Sequence, residues 1–342
     1  MRVRVGVNGF GTIGKRIASA ITLFPEFSLE GIVKRTPDYA AFQAASKGFN
    51  IYAPTSEDAA KLEEAGVKVA GTIEDLLNRV DVIVDATPGG TGAKYKPLYE
   101  KHGVKAVYQG GEKPDVAQVS FSSLCNYREA FDAKSVRVVS CNTTGLLRII
   151  CTLHKHFGVK KVRATIVRRA ADPKEVKRGP VNAIVLNPPK LPSHHARDVN
   201  TVLPWLDIWT SALVVPTTLM HVHSLYVVLE TTPSREKIVE ALRESPRIML
   251  VPSGVTGIKS TAELVEAARE VRHRYDIPEL VVFEDSIHTD KGELVLTQAV
   301  HQESIVVPEN IDALKAMFRL EEDPGKAIQD TDRRLGLTKT LW

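Results

Sequence analysis

The chain is poor in cysteine, with three in 342 residues and no Cys-x-x-Cys pair. That excludes a disulfide scaffold and a cysteine-clustered metal site. Cys125 and Cys151 are expected to be core thiols; a bridge between them enters only for a chain from a hyperthermophile, where intracellular disulfides occur. No run approaches the roughly 18 uninterrupted apolar residues of a membrane span. Met1-Arg2-Val3-Arg4 leads straight into a strand pattern instead of a secretory leader, so the expected setting is the cytoplasm, without a membrane partner. Charge of one sign is also missing: 45 basic against 41 acidic residues give a net +4, spread without a tail or a long run. Local anion sites are expected, not a nucleic-acid surface, since no basic stripe is interleaved with aromatics.

The length exceeds what one hydrophobic core usually serves, so two domains are expected. Residues 1–140 alternate strand and helix. Val3–Val7, Leu29–Val33, a short Val67–Val69, Val80–Ala86, Ala106–Tyr108 and Val136–Val139 read as strands, which implies a doubly wound parallel sheet. From 141 to 302 the strands lengthen (Val162–Val167, Ala183–Leu186, Leu213–Val215, Val222–Leu229, Leu280–Phe283, Leu294–Ala299). Helices Ser234–Glu244 and Ser260–His273 fall between them, and an α+β domain with a mostly antiparallel sheet is expected. Lys177–Thr210, rich in Pro, Asn and His, reads as a long functional or interface loop. A last helical region within 303–342, beginning near Pro308, is expected to complete the first domain. The fold class is therefore α/β, a Rossmann domain plus a catalytic domain.

Gly9-Phe10-Gly11-Thr12-Ile13-Gly14 follows the first strand and opens a helix. In that position the glycines allow a tight turn and let a pyrophosphate rest on the helix N-terminus. Gly9, Gly11, Thr12, Ile13 and Gly14 are thus candidate cofactor contacts. About 20 residues on, NAD-specific folds carry an acid; here stand Lys34 and Arg35, so NADP is expected alongside NAD. Thr87-Pro88-Gly89-Gly90 and Gln109-Gly110-Gly111 end neighbouring strands at the ligand-binding edge of the sheet.

Cys141, in Ser140-Cys141-Asn142-Thr143-Thr144, stands where a strand pattern gives way to a helix. Helix N-terminal N–H groups favour thiolate, the reactive form. Its polar neighbours cap a helix or bind a ligand more readily than they build an apolar pocket.

Together with Arg168-Arg169-Ala170-Ala171-Asp172-Pro173, Pro192-Ser193-His194-His195, the stretch Pro216 to Ser224 and Ala299-Val300-His301-Gln302-Glu303-Ser304, these motifs resemble the archaeal branch of the glyceraldehyde-3-phosphate dehydrogenases over essentially the whole chain. In the bacterial and eukaryotic branch a histidine base follows the cysteine by about 27 residues; here that position is Arg168. The resemblance implies a base in Met220-His221-Val222-His223, with His221 preferred and His223 the alternative, since both face one side of a strand. It implies a phosphorylating oxidation of D-glyceraldehyde 3-phosphate through a cysteine thiohemiacetal and thioester, with hydride passing to NAD(P). Two anion sites, for substrate phosphate and inorganic phosphate, are expected from Ser140, Asn142, Thr143, Arg168, His194 and His195. An ion pair to Asp172 is the competing reading of the arginines. Arg169 and Gln302 are implied to reach the cofactor, as Gly111 is expected to from its place at a strand end; no metal is expected, and a homotetramer is implied. A semialdehyde or acyl-phosphate dehydrogenase of similar architecture, or a cysteine-based redox sensor, are the alternatives.

Overall fold

The computed structural model describes residues 2–172 and 179–342. Lys177, the first residue of the long loop expected from sequence, lies outside the described residues. The chain forms two compact units, one of Met1–Val139 with Val307–Leu335 and one of Ser140–Val306 with Gly336–Trp342.

In the first unit the strands are β1 (Val3–Asn8), β2 (Phe27–Val33), β3 (Ile51–Ala53), β4 (Gly71–Thr72), β5 (Val82–Asp85), β6 (Lys105–Gln109), β7 (Val119–Phe121) and β8 (Ser135–Val138). They pair in the order β4-β3-β2-β1-β5-β6-β8-β7, all in parallel. Val5, Val7, Ile32, Val82, Val84, Val107 and Val136 are wholly buried, as parallel strands covered on both faces require. Val67–Val69 is not a strand; the outer positions are taken by β3 and β4. Both are only two or three residues long, too short to display a period of two.

The C-terminal region is two helices, Val307–Met317 and Pro324–Leu335. The first is tied to its unit by paired amides, Gln109 Nε2 to Asn310 Oδ1 at 2.7 Å and Asn310 Nδ2 to Gln109 Oε1 at 3.1 Å. Buried Glu309 accepts from the backbone and hydroxyl of Ser123, both at 2.7 Å. Residues 336–342 group instead with the second unit, where Lys339 Nζ donates to the backbone carbonyls of Ser245 and, at 3.2 Å, Ile248.

The second unit carries β9 (Val159–Arg169), β10 (Val185–Leu186), β11 (Asp207–Val215), β12 (His221–Leu229), β13 (Ile248–Val251), β14 (Leu280–Phe283), β15 (His288–Asp290) and β16 (Glu293–Val300). The order is β10-β11-β9-β12-β16-β14-β13, with β15 on β16. Pairings are antiparallel except β11 with β9 and β13 with β14, so the sheet is mixed. The long loop expected from sequence contains structure: β10, and a helix His194–Asn200 opened by Ser193.

Helix Cys141–Phe157 supplies much of this unit's core and contains the wholly buried Arg148. Arg148 donates to the carbonyls of Pro278 at 2.6 Å and Ile305 at 2.8 Å, tying two irregular segments to the helix. Arg148→Met strands both carbonyls and is expected to lower stability by about 2–4 kcal/mol. Urea denaturation measures this, and a loss under about 0.5 kcal/mol would contradict the role.

Candidate active site

The three glycines of the first loop have three different physical reasons. Gly9 has φ +96°, and a Cβ there would meet the Ala86 and Thr87 backbone at 2.9 Å. At Gly14 a Cβ would lie 1.8 Å from the Gly9 carbonyl oxygen, so helix Gly14–Ile21 packs on the loop only without one. A Cβ on Gly11 would meet nothing within 4 Å; that position faces open space, as the approach of a pyrophosphate to the helix N-terminus requires. The residues present therefore fit a dinucleotide.

The loops at 87–90 and 109–111 touch through their glycines, a Cβ on Gly89 falling 2.7 Å from the Gly111 carbonyl oxygen. Buried Asp85, a residue not singled out from sequence as functional, holds the former by accepting from the Thr87 N–H at 3.0 Å and its hydroxyl at 2.5 Å. Tyr99 donates to its other oxygen at 2.6 Å. Burial pushes the Asp85 carboxyl up, against the pull of these donors.

Lys34 follows β2 directly and donates to Asp38 Oδ2 at 2.7 Å. The other oxygen of Asp38 caps helix Tyr39–Ser46 through Ala40 and Ala41 N–H. The carboxylate next to the loop is thus committed to the protein, while Lys34 keeps further donors. Arg35 is more exposed, its nearest acid Asp58 lying at 3.9 Å.

In the second unit Cys141 is the first residue of its helix, half-buried, with Ser140 as N-cap. Cys141 is the free cysteine. Cys125 and Cys151, expected to be core thiols, are disulfide-bonded, and each is only partly buried. The helix start does not by itself make a thiolate. Burial pushes the Cys141 thiol above its usual value, while Arg168, Arg169 and the backbone N–H groups of Asn142 and Cys141 pull it back. Desolvation of the charged form outweighs the local donors.

The candidate anion ligands separate. The Thr143 hydroxyl donates to Asp198 Oδ2 at 2.6 Å and lies 2.9 Å from Ser140 Oγ, which therefore donates to it. Both hydroxyls are committed within the protein, Thr143 to an acid invisible in the motif. His195 is buried and held neutral, pushed down to about 2 by burial first and then by His194 and Arg168. Its Nδ1 lies 3.1 Å from Ser193 Oγ and its Nε2 3.4 Å from Asn142 Nδ2. Both ring nitrogens of His195 are thus engaged within the protein. His194 is exposed and stacks on it, with ring centroids 4.0 Å apart.

The arginines differ as sharply. Arg169 is the ion-paired one, bonded to Asp172 and the Ala171 carbonyl, with Glu303 at 3.5 Å. Arg168 donates to Asn187 Oδ1 at 2.9 Å, and its buried Nε has no partner among the described residues. A guanidinium with an open donor is what an anion would complete.

His221 and His223 both point into the unit from β12, and their surroundings distinguish them. His223 has both nitrogens engaged, with Asn142 Oδ1 at 2.9 Å and Gln298 Nε2 at 3.0 Å, and burial pushes it down to about 3. His221 accepts the Arg169 backbone N–H at Nδ1, 3.0 Å away. A ring accepting at Nδ1 carries its proton on Nε2. Burial, then Arg169 and Arg168, hold this imidazole well below its usual range, so it stays neutral and presents an N–H. Gln302 is buried, and its Oε1 lacks a partner among the described residues, an acceptor suited to an amide donor.

A family model described as the glyceraldehyde 3-phosphate dehydrogenase C-terminal domain matches residues 140–273. One described as the N-terminus of dihydrodipicolinate reductase matches residues 3–111. The glyceraldehyde-3-phosphate dehydrogenase of Aeropyrum pernix is 62% identical over 340 residues, 99% of each chain. That of Hyperthermus butylicus is 60% identical over 339 residues, 99% of this chain and 98% of its own. That of Sulfolobus acidocaldarius is 54% identical over 321 residues, 94% and 93% respectively. Among solved structures, aspartate semialdehyde dehydrogenase II from Vibrio cholerae matches with a TM-score of 0.69 at 11% identity, over 93% of this chain and 99% of its own; that is a likeness of fold.

The glycine geometry separates folding from binding. Gly14→Ala is expected to destabilise the chain by about 2 kcal/mol or more through overlap with the Gly9 carbonyl. Gly11→Ala is expected to leave stability within about 1 kcal/mol yet weaken dinucleotide binding by about tenfold, because its methyl occupies the pyrophosphate approach. Thermal melts and cofactor titration read the two effects; equal behaviour of the variants would contradict this division.

Proposed function

Given that the chain belongs to the glyceraldehyde-3-phosphate dehydrogenase family, we propose that it oxidises D-glyceraldehyde 3-phosphate with inorganic phosphate to 1,3-bisphosphoglycerate, with Cys141 as nucleophile. It is an oxidoreductase of glycolysis or gluconeogenesis, and we assign it to the cytoplasm. The observation that carries the residue assignment is the free Cys141 at a helix start, under the influence of two arginines.

Cys141 loses its proton and the thiolate adds to the aldehyde carbon. The oxygen then carries negative charge, and His221 Nε2–H is the donor we assign to it, together with backbone N–H at the helix start. This differs from the general base expected from the resemblance. A neutral ring whose Nδ1 already accepts the Arg169 N–H is built to donate at Nε2, and two neighbouring guanidinium groups oppose its protonation. The nicotinamide ring of a bound NAD(P) supplies the hydride acceptor. As hydride departs the carbonyl re-forms, leaving a thioester on Cys141. An oxygen of inorganic phosphate then attacks, His221 again donates to the tetrahedral oxyanion, and the Cys141 thiolate leaves as the acyl phosphate forms. Protons balance without an imidazolium: the Cys141 proton passes to solvent when the thiol ionises, the departing thiolate begins the next cycle, and the phosphate's proton passes to solvent on acylation, one H+ per turnover.

Arg168, with its open Nε, is the anion ligand we assign, with His194 beside it; this cation favours a phosphorylated substrate over a plain semialdehyde. The open Oε1 of Gln302 suits the carboxamide of the nicotinamide. Arg169, committed to two acids, serves the cofactor less directly than expected. Lys34 and Arg35 support use of NADP as well as NAD. The homotetramer implied by the resemblance is supported by the outer face of the second sheet. There Trp209 and Val295 are exposed and border a cavity of about 330 Å³ with Leu191 and Tyr226, a face of the kind that subunit contacts cover.

Turnover with glyceraldehyde 3-phosphate and NADP tests the reading. Inorganic phosphate is expected to be required for the full steady-state rate, and Cys141→Ser to abolish it. A full rate without phosphate would refute the phosphorylating reaction. For His221, the donor role predicts that His221→Gln keeps about a tenth or more of the kcat that His221→Leu loses. It also predicts a kcat/KM profile without an imidazole limb between pH 6 and 7. Equal loss in both variants, with such a limb in the wild type, would restore the base.

A further inference from the structure

Gln298 lies on β16 directly opposite His223 in the sheet register and is wholly buried. Its Nε2 donates to the Gly145 carbonyl at 3.1 Å. A carbonyl only accepts, so this contact fixes which end of the amide is nitrogen. The same nitrogen stands 3.0 Å from His223 Nδ1, which must therefore accept. The proton of neutral His223 is then on Nε2 and is donated to Asn142 Oδ1 at 2.9 Å. That fixes the Asn142 amide in turn, with Nδ2 towards His195 Nε2 at 3.4 Å. His195 consequently carries its proton on Nδ1, facing Ser193 Oγ, whose hydroxyl continues to Thr210 Oγ1 at 2.7 Å. Every donor in the series points one way, set at its origin by one carboxamide and one helix carbonyl.

The series passes through the residue that follows the nucleophile. The Asn142 backbone N–H acts on the Cys141 thiol, favouring its charged form, so anchoring the Asn142 side chain at two points bears on where that N–H lies. Gly145 permits the arrangement: a Cβ there would stand 3.4 Å from His223 Cε1 and 2.6 Å from Val300 Cγ2. We propose that Gln298 and His223 are positioning residues that act through Asn142 to hold its backbone N–H on the Cys141 sulfur in a single orientation. Neither touches the reacting atoms. Their effect is on the readiness of the sulfur to ionise, alongside the two charges acting on it from β9, Arg168 and Arg169.

The proposal rests on Cys141 being the nucleophile, but its test does not need turnover. The pH dependence of Cys141 alkylation by iodoacetamide, on the full-length protein, reads thiol ionisation directly. Gln298→Met removes the donor at nearly constant volume. His223→Leu removes the link, and His223→Gln restores an N–H near the position of Nε2. Gln298→Met and His223→Leu are expected to raise the alkylation midpoint by about one pH unit, a tenfold change in the ionisation constant. His223→Gln is expected to remain near the wild type. Unchanged midpoints in Gln298→Met and His223→Leu, or His223→Gln behaving as His223→Leu, would overturn the proposal.

Neutron diffraction of the wild type gives a second reading that no folding defect can obscure. Deuterium is expected on His223 Nε2 and His195 Nδ1; deuterium on His223 Nδ1 instead would reverse the series and overturn it. A protein with the expected alkylation and protonation pattern but no dehydrogenase activity would refute the functional reading while leaving the positioning intact.

Discussion

Covalent chemistry at Cys141, as we propose it, asks a sulfur to become negative in a place largely out of water, and the surroundings of that sulfur in the second unit can be read from this one constraint. Burial disfavours the thiolate, and the helix start is too weak an influence to overcome it alone. The balance is approached by two guanidinium groups at the end of β9 and by backbone N–H groups at residues 141 and 142. This makes the thiol conditional: an anion or cofactor arriving near Arg168 and Arg169 changes the field at the sulfur. The nucleophile that we assign is therefore tied to the same cations that we assign to phosphate recognition.

The same constraint explains why three buried histidines stay neutral. An imidazolium would add positive charge beside Arg168 and Arg169 in a poorly hydrated region, and His195, His221 and His223 are all held below the usual imidazole range. As neutral rings they are directional, each with one donor and one acceptor. His223 and His195 spend both on the protein, whereas among the described residues His221 spends its acceptor on the Arg169 N–H and keeps the donor that we assign to the chemistry. Placing two histidines two residues apart on one strand thus produces two different parts from one side-chain type.

Much of this was legible in the sequence. A glycine loop between strand and helix, buried valine-rich strands and the strand-to-helix cysteine each report local physics, and local physics survives folding. Parallel strands of four or more residues could be found by their apolar runs, whereas Ile51–Ala53 and Gly71–Thr72 were too short to register. The spacing of His221 and His223 announced a shared face but could not separate them. That distinction came from Gln298, Asn142 and the Arg169 N–H, partners 75, 81 and 52 residues distant. The bond from Thr143 to Asp198 was not legible, because Asp198 is brought to it by a helix inside what looked like loop. Gln298 did leave one trace, as a lone amide in the apolar strand Glu293–Val300.

Covalent catalysis at Cys141 is the claim on which the other assignments lean, and it can be examined by catching the intermediate. The protein is mixed with glyceraldehyde 3-phosphate and NADP in the absence of inorganic phosphate, then quenched in acid for intact-mass and peptide-mass measurement. The expected result is one 3-phosphoglyceroyl group per chain, on the peptide containing Cys141, that disappears when phosphate is added before the quench. NADPH formation with no acyl group on the protein, or an acyl group at another residue, would contradict a thioester at Cys141.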